Sequence, residues 1–327
     1  MQSATNLFPN SSFIHPPGFY IVALSSMPYT NIYVIFLAVL YIFIVMFNLF
    51  LICIILYDHR LHVPKFMAVG NLAVVDLVLS TSLVPSMINI YLFMDNFVPF
   101  NLCLMQMYTY YTFLSLESFS LCILAYDRLI AICLPLRQES INTNTTMAYI
   151  IGGVWIFGLV VTAYCPVSVI PLSFCGSVQV NSYFCTYTLV FRLSCSDTTR
   201  QLIYAIILTI LFVFVTLSFI LLTYMSILFS VFRMKNIQSR YKALATCTEH
   251  LILVALFFIP ILVFFNITFF EIVINPDVSM VALSLSVCIT SCVNPIMYSL
   301  KTKEIRSRVY ALFVKKLTIH PHQKHEG

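Results

Sequence analysis

Charge is what this sequence has least of. Of its 327 residues only 9% are Asp, Glu, Lys or Arg, whereas 61% are hydrophobic. A water-soluble domain carries about 25% charged residues, and one this apolar would expose adhesive patches and aggregate. The shortage therefore excludes a soluble globular protein. Residues 1–30 contain no Lys or Arg, so the basic start of a cleavable signal peptide is missing. The first apolar run is also too long for a signal's apolar region, and it is expected to act as its own insertion signal. The alternating ten-residue segments of a membrane barrel are absent. No repeat relates the two halves, which disfavours a transporter built from internal repeats. No nucleophile and base stand in register either. Cys247 and His250 are three residues apart, but they lie beside a basic loop at one end of an apolar run, and no enzyme is read from them.

What is present is apolar sequence in long runs with short polar breaks. Crossing about 30 Å of hydrocarbon takes roughly 20 helical residues. Seven runs qualify: about Asn31–Leu56, Phe66–Phe93, Leu102–Cys133, Met147–Val169, Gln201–Phe232, Ala243–Phe270 and Val278–Leu300. Backbone polar groups in lipid must be satisfied within the segment, so the runs are expected to be helices. The fold class is thus an all-α membrane protein, a seven-transmembrane helix bundle. Residues 1–30 form an extracellular N-terminus, 31–300 the bundle and 301–327 a cytoplasmic tail. Within the tail, Lys303–Val314 reads as a short amphipathic helix. Ile305, Val309, Leu312 and Phe313 share one face and basic residues the other, as suits a helix lying on the inner membrane surface.

Lys and Arg mark the cytoplasmic side. All of the 17 basic residues except Arg192 and Arg200 fall in the first, third and fifth loops and the tail. This places the protein in the plasma membrane with its N-terminus outside and its C-terminus inside. Charges spread over four separate segments do not make a nucleic-acid patch. Cys103, Cys175, Cys185 and Cys195 fall on the outer side, where disulfides persist; spacing alone leaves their three possible pairings open. Asn10-Ser11-Ser12 is an outer glycosylation acceptor. The matching Asn144-Thr145-Thr146 falls inside, and Asn266-Ile267-Thr268 falls within a helix.

Ionisable groups inside a membrane are costly and usually functional. Asp76 lies in the second run and Glu117 in the third. Two carboxylates at similar depth fit a hydrated cation with oxygen ligands, or a shared proton instead. Asn48 interrupts the first run, and Asn294-Pro295-Ile296-Met297-Tyr298 breaks the seventh. Asp127-Arg128 stands at the inner end of the third run. Arg128 is 11 residues beyond Glu117, about three helical turns deeper, where a cytoplasmic partner would meet it.

Four motifs carry a family resemblance. Leu124-Ala125-Tyr126-Asp127-Arg128-Leu129-Ile130-Ala131-Ile132-Cys133 is similar to MAYDRYVAIC, and Lys242–His250 to KAxxTCxxH. Leu61-His62-Val63-Pro64 is similar to LHxP, and Ser299-Leu300 follows the Asn-Pro-x-x-Tyr motif. In this order and spacing they resemble the olfactory (odorant) receptors among the rhodopsin-like G protein-coupled receptors, with a leaning to the fish-type branch. Trp155 falls where most of that superfamily has its helix-four Trp. Departures are Leu129 for a Tyr, Lys65 for a Met, and Phe258 and Pro260 in place of a Cys-Trp-x-Pro motif.

The resemblance implies Cys103–Cys185 and Cys175–Cys195 bridges. It implies a sodium site at Asp76 and Glu117, with no other cofactor. It implies G protein coupling around Asp127, Arg128, Tyr224, Lys242 and Tyr298, through a stimulatory olfactory G protein that raises cyclic AMP. The odorant pocket would lie in the outer half of the bundle, lined by Met107, Tyr110, Tyr111, Leu114, Ser115, Phe258, Ile261, Phe265 and Ser284. None of these carries a formal charge, which favours a neutral or weakly polar small molecule over an amine. Arg192 and Arg200 add positive charge at the entrance.

Overall fold

The computed structural model describes residues 16–22, 29–269 and 276–301, with side chains described outside 265–276, 279–280 and 299–301. Seven long helices form one bundle: α1 (Thr30–Tyr57), α2 (Pro64–Leu92), α3 (Phe100–Cys133), α4 (Asn144–Thr162), α5 (Thr199–Arg233), α6 (Ile237–Phe269) and α7 (Pro276–Lys301). Six are long and apolar enough on their own to cross a membrane. The seventh is α3, read together with a short stretch, Pro135–Ile141, that turns 108° away from it. Pro64 at the start of α2 suits a position with no hydrogen-bonding duty. Thr143 caps α4, its hydroxyl accepting from the Thr146 N–H at 3.1 Å.

The helices are longer than the apolar runs. α6 begins at Ile237, six residues before the expected Ala243. Its first turns carry Arg240 and Lys242, which lie in the aqueous zone where hydropathy gives no signal. α4 breaks at Ala163 and resumes as Tyr164–Val169. α5 widens to a π-helical stretch over Ile210–Val215, a feature frequent at functional sites. The expected tail helix Lys303–Val314, the remaining tail to 327 and the Asn10 acceptor lie outside the described residues.

α3 runs through the middle and touches α2, α4, α5 and α6, while α7 packs on α1, α2 and α6. The outward faces are apolar: Ile35, Phe36 and Ile42 of α1, Ile156 and Val160 of α4, and Leu222, Met225 and Phe229 of α5 are all exposed. In water this surface would aggregate; in lipid it is matched to its solvent. Polar residues turn inward. Asn48 donates to the Ile44 and Ser291 carbonyls at 3.0 Å each, tying α1 to α7. Asn71 donates to Ser120 Oγ at 2.8 Å and accepts from Trp155 Nε1 at 2.7 Å, tying α2, α3 and α4.

The outer end is roofed by loops. Gly18–Ile21 forms a strand between Phe97–Pro99 (antiparallel) and Gln179–Val180 (parallel). A Cβ on Gly18 would overlap the Val98 carbonyl, so only glycine permits that pairing. Phe19 is fully buried beneath this sheet, edge-on to Phe174 with ring centroids 5.3 Å apart. Cys103 of α3 is bonded to Cys185, and Cys175 to Cys195, within the long loop between α4 and α5. These are the two pairings the resemblance implies.

Candidate functional site

At the inner pole, the end of α3 presents Arg128 and Asp127. Asp127 is 2% exposed. One carboxylate oxygen lies 4.0 Å from Arg128 Nε, and the other accepts from Asn142 Nδ2 at 2.8 Å. Lys65, at the start of α2, is near enough to act on the same carboxylate. Arg128 is thus held beside its neighbour at this end of the bundle. The Tyr224 hydroxyl of α5 meets His250 Nδ1 of α6 at 2.7 Å, with the rings stacked. Tyr298 of α7 packs against the same apolar cluster as Tyr224, Cys247 and Val254. Lys242 is exposed at the inner end of α6. The five residues expected at this pole therefore come from α3, α5, α6 and α7 and share one end. His250 belongs with them; its place in the Lys242–His250 motif was the signal for it.

Midway through the bundle stand two fully buried carboxyl groups, Asp76 and Glu117. Both Asp76 oxygens accept from Asn294 Nδ2, at 3.1 and 3.0 Å. Glu117 has neither oxygen hydrogen-bonded among the described residues, and it lies within electrostatic reach of Asp76. A buried carboxyl without donors is an unmet demand for a cation or a proton. The donor set is all oxygen, which suits a hard cation.

In the outer half the nine expected ligand residues divide. Met107, Tyr110 and Tyr111 meet the long loop. Met107 is fully buried in a cluster with Cys185, Tyr187 and Phe191. Tyr110 packs tilted on Phe184, with centroids 4.4 Å apart, and edges against Tyr111 at 5.2 Å. Leu114, Phe258 and Ile261 pack one layer deeper, against Val213 and Phe257. Ser284 pairs with the Tyr33 hydroxyl of α1 at 2.7 Å. Ser115 turns elsewhere: it donates to the Thr112 carbonyl at 2.7 Å and faces α4, where a Cβ on Gly158 would come 3.3 Å from its oxygen. Phe265 lies on α6, with its side chain outside those described.

Sequence reasoning missed Tyr183, Phe184 and Tyr187. All three are buried loop residues: Phe184 packs on Tyr110 and Tyr187 on Tyr111 of α3, and Tyr183 packs on Phe184. Their signal was the aromatic density around Cys185. Away from the nine residues, a cleft of about 580 Å³ opens between the outer halves of α2 and α3, lined among others by Leu77, Ser82, Asn89, Asp95 and Gln106.

Comparison with known proteins bears on these geometries. Residues 37–316 match a family model described as olfactory receptor. Olfactory receptor 10A5 from Homo sapiens is 33% identical over 306 residues, covering 92% of this chain and 95% of that protein. Olfactory receptor 2AT4 from Homo sapiens is 28% identical over 302 residues, covering 92% and 94%. Olfactory receptor 51E2 from Mus musculus is 31% identical over 262 residues, covering 78% and 80%.

Proposed function

Because this chain belongs to the olfactory receptor family, and is therefore a multi-pass membrane receptor and not an enzyme, we propose that it binds a neutral small-molecule odorant in its outer half and activates a stimulatory G protein, raising cyclic AMP. The observation that carries this reading is the pairing of two poles in one bundle. Aromatic clusters packed under a disulfide-pinned loop occupy one end, and at the other Arg128 stands beside Asp127.

The proposed sequence of events follows from that arrangement. An odorant that packs against Met107, Tyr110, Tyr111, Leu114, Phe258 and Ile261, with Phe265 and Ser284 at its margin, favours whichever arrangement of α5 and α6 fits it best. A ligand shifts an equilibrium only by its differential affinity for the two states. Leu114, Phe258 and Ile261 belong to the same apolar cluster as Tyr224 and Cys247 further in, so repacking above changes packing below. The Arg128–Asp127 contact then opens, and Arg128, Tyr224, Lys242 and Tyr298 engage the G protein. The N-terminus, glycosylated at Asn10, faces outward and the basic tail faces the cytoplasm, in keeping with the placement of Lys and Arg.

Asp76 and Glu117 fit a sodium ion by the test of their donors: two carboxyls, one without hydrogen bonds, fully out of water. A sodium ion bound there would offset one unit of negative charge between the two carboxyls. Asp76 and Glu117 would hold it, and Asn294 keeps Asp76 in place from α7.

The direct test is cyclic AMP accumulation in transfected cells challenged with odorant classes, comparing the native receptor with Arg128→Ala at matched surface expression. A ligand-dependent rise that Arg128→Ala abolishes supports the assignment; an undiminished response in the variant overturns the role of Arg128.

A further inference from the structure

The Tyr183 side chain is among the largest fully buried groups in the protein, yet its hydroxyl has no hydrogen-bond partner among the described residues. It sits two positions before the bridged Cys185, where the loop dips into the outer bundle. Its ring packs on Phe184, centroids 4.9 Å apart, and Phe184 packs on Tyr110. Three of the phenols near it are engaged elsewhere. Tyr33 pairs with Ser284 Oγ at 2.7 Å and donates to the Val281 carbonyl. Tyr111 lies within polar reach of the Tyr187 backbone and the Thr188 side chain in the loop. Tyr187 meets Ser168 Oγ at 2.9 Å. Tyr183 is the buried phenol without a partner among the described residues.

A phenylalanine would fill the same space without burying an unpaired hydroxyl, which costs free energy wherever it stays unpaired. We propose that the Tyr183 hydroxyl is the polar anchor of the odorant site and that it donates to the oxygen of a neutral carbonyl compound: a ketone, aldehyde or ester. This rests on the odorant-receptor reading above and narrows it.

Three observations select that chemical class. The groups that act electrostatically on Tyr183 are Tyr110, Cys288, Tyr33 and Tyr111; among the described residues no Lys or Arg stands there to hold a carboxylate and no Asp or Glu to hold an amine. Burial pushes the phenol well above its usual pKa, so it stays protonated and acts as a donor. The surrounding aromatic faces of Phe184 and Tyr110 accept an alkyl remainder. A site built to hydrogen-bond one substrate group discriminates strongly against the analogue lacking it, because the protein's own polar group is then left unpaired.

The test uses the full-length receptor and Tyr183→Phe in cells. Cyclic AMP is read against medium-chain ketones, aldehydes and methyl esters, with hydrocarbons, fatty acids and amines of equal length as controls. The native receptor is expected to respond to carbonyl compounds and not to the hydrocarbons. Tyr183→Phe should reduce their potency roughly 5- to 10-fold, the size of one neutral hydrogen bond, in dose–response curves normalised to surface expression. Purified without ligand, Tyr183→Phe should melt at or above the native temperature, since it removes an unpaired group. Tyr33→Phe, which breaks a formed hydrogen bond, should melt lower. Equal carbonyl potency in Tyr183→Phe, or a lower melting temperature for it, overturns the anchor. A native response confined to acids or amines overturns the ligand class while leaving the receptor reading intact. A native receptor on the cell surface that answers no compound of any class fails the receptor reading itself.

Discussion

At the inner end of α3, Asp127 serves several partners at once. It faces Arg128, accepts a hydrogen bond from Asn142 and lies within reach of Lys65. Breaking a partly buried pair by deleting its cation leaves a carboxylate uncompensated, but here Asn142 and Lys65 remain. Arg128→Ala is therefore expected to reach the cell surface at near-native levels while losing ligand-driven cyclic AMP, as surface labelling beside a cyclic AMP assay would check. Lys65 acts on the same carboxylate electrostatically, so it would stabilise Asp127 if the Arg128 contact opened. Lys65→Met should accordingly lower basal activity; an unchanged or higher basal signal would show that Lys65 does not act in this way. Deeper in, Glu117 is the carboxyl with no donor. If a cation favours the resting state, sodium lowers agonist potency relative to a bulky organic cation at equal ionic strength. Glu117→Gln, carrying one charge fewer, should blunt that difference. Equal potency of the native receptor in both salts would favour a shared proton.

At the scale of helices, close approach decides what side chains can do. Gly158 lets α4 lie against α3: a Cβ there would stand 3.2 Å from Leu116 Cδ2 and 3.3 Å from Ser115 Oγ. Small residues at such contacts are the usual means by which membrane helices meet. Gly158→Leu should overpack the contact at a cost of about 1–3 kcal/mol and lower the melting temperature of the purified receptor. Gly153→Leu, where nothing lies within 4 Å, should be tolerated and serves as the control. The same contact explains why Ser115, assigned to the odorant site by its position along the helix, faces α4 instead. Phase on α3 was legible; the partner across each face was not.

Helix existence was legible because hydrocarbon allows few alternatives for a long apolar run. Helix ends were less so. The inner turns of α6 from Ile237 are exposed to water and carry charge, and the break at Ala163 in α4 leaves no mark in hydropathy. Asp76, Glu117 and the Asp127-Arg128 pair stood out in the sequence because charge in a membrane span is rare. Tyr183 did not, because the burial of a loop residue depends on the Cys103–Cys185 bridge and on packing from distant segments.

Taken whole, the molecule has an outer end covered by a three-stranded sheet and two disulfides, a polar middle and an inner end that carries the Asp127–Arg128 pair. A native disulfide contributes about 2–5 kcal/mol in small domains. Cys103 and Cys185 join α3 to the loop that carries Tyr183, whereas Cys175 and Cys195 close only a local segment. Cys103→Ser should abolish the odorant response even in molecules that reach the surface. Cys175→Ser should reduce surface expression more than potency, and dose–response curves normalised to surface receptor separate the two effects. The central claim is that ligand entering at one end is read out as G protein activation at the other. Its most direct measurement uses the purified receptor in lipid vesicles with a stimulatory G protein and an odorant mixture. Nucleotide exchange on the G protein, followed beside ion flux across the same vesicles, should speed up on adding odorant, with no flux. Odorant-dependent flux without any change in exchange would contradict the account and make the bundle a conduit instead of a receptor.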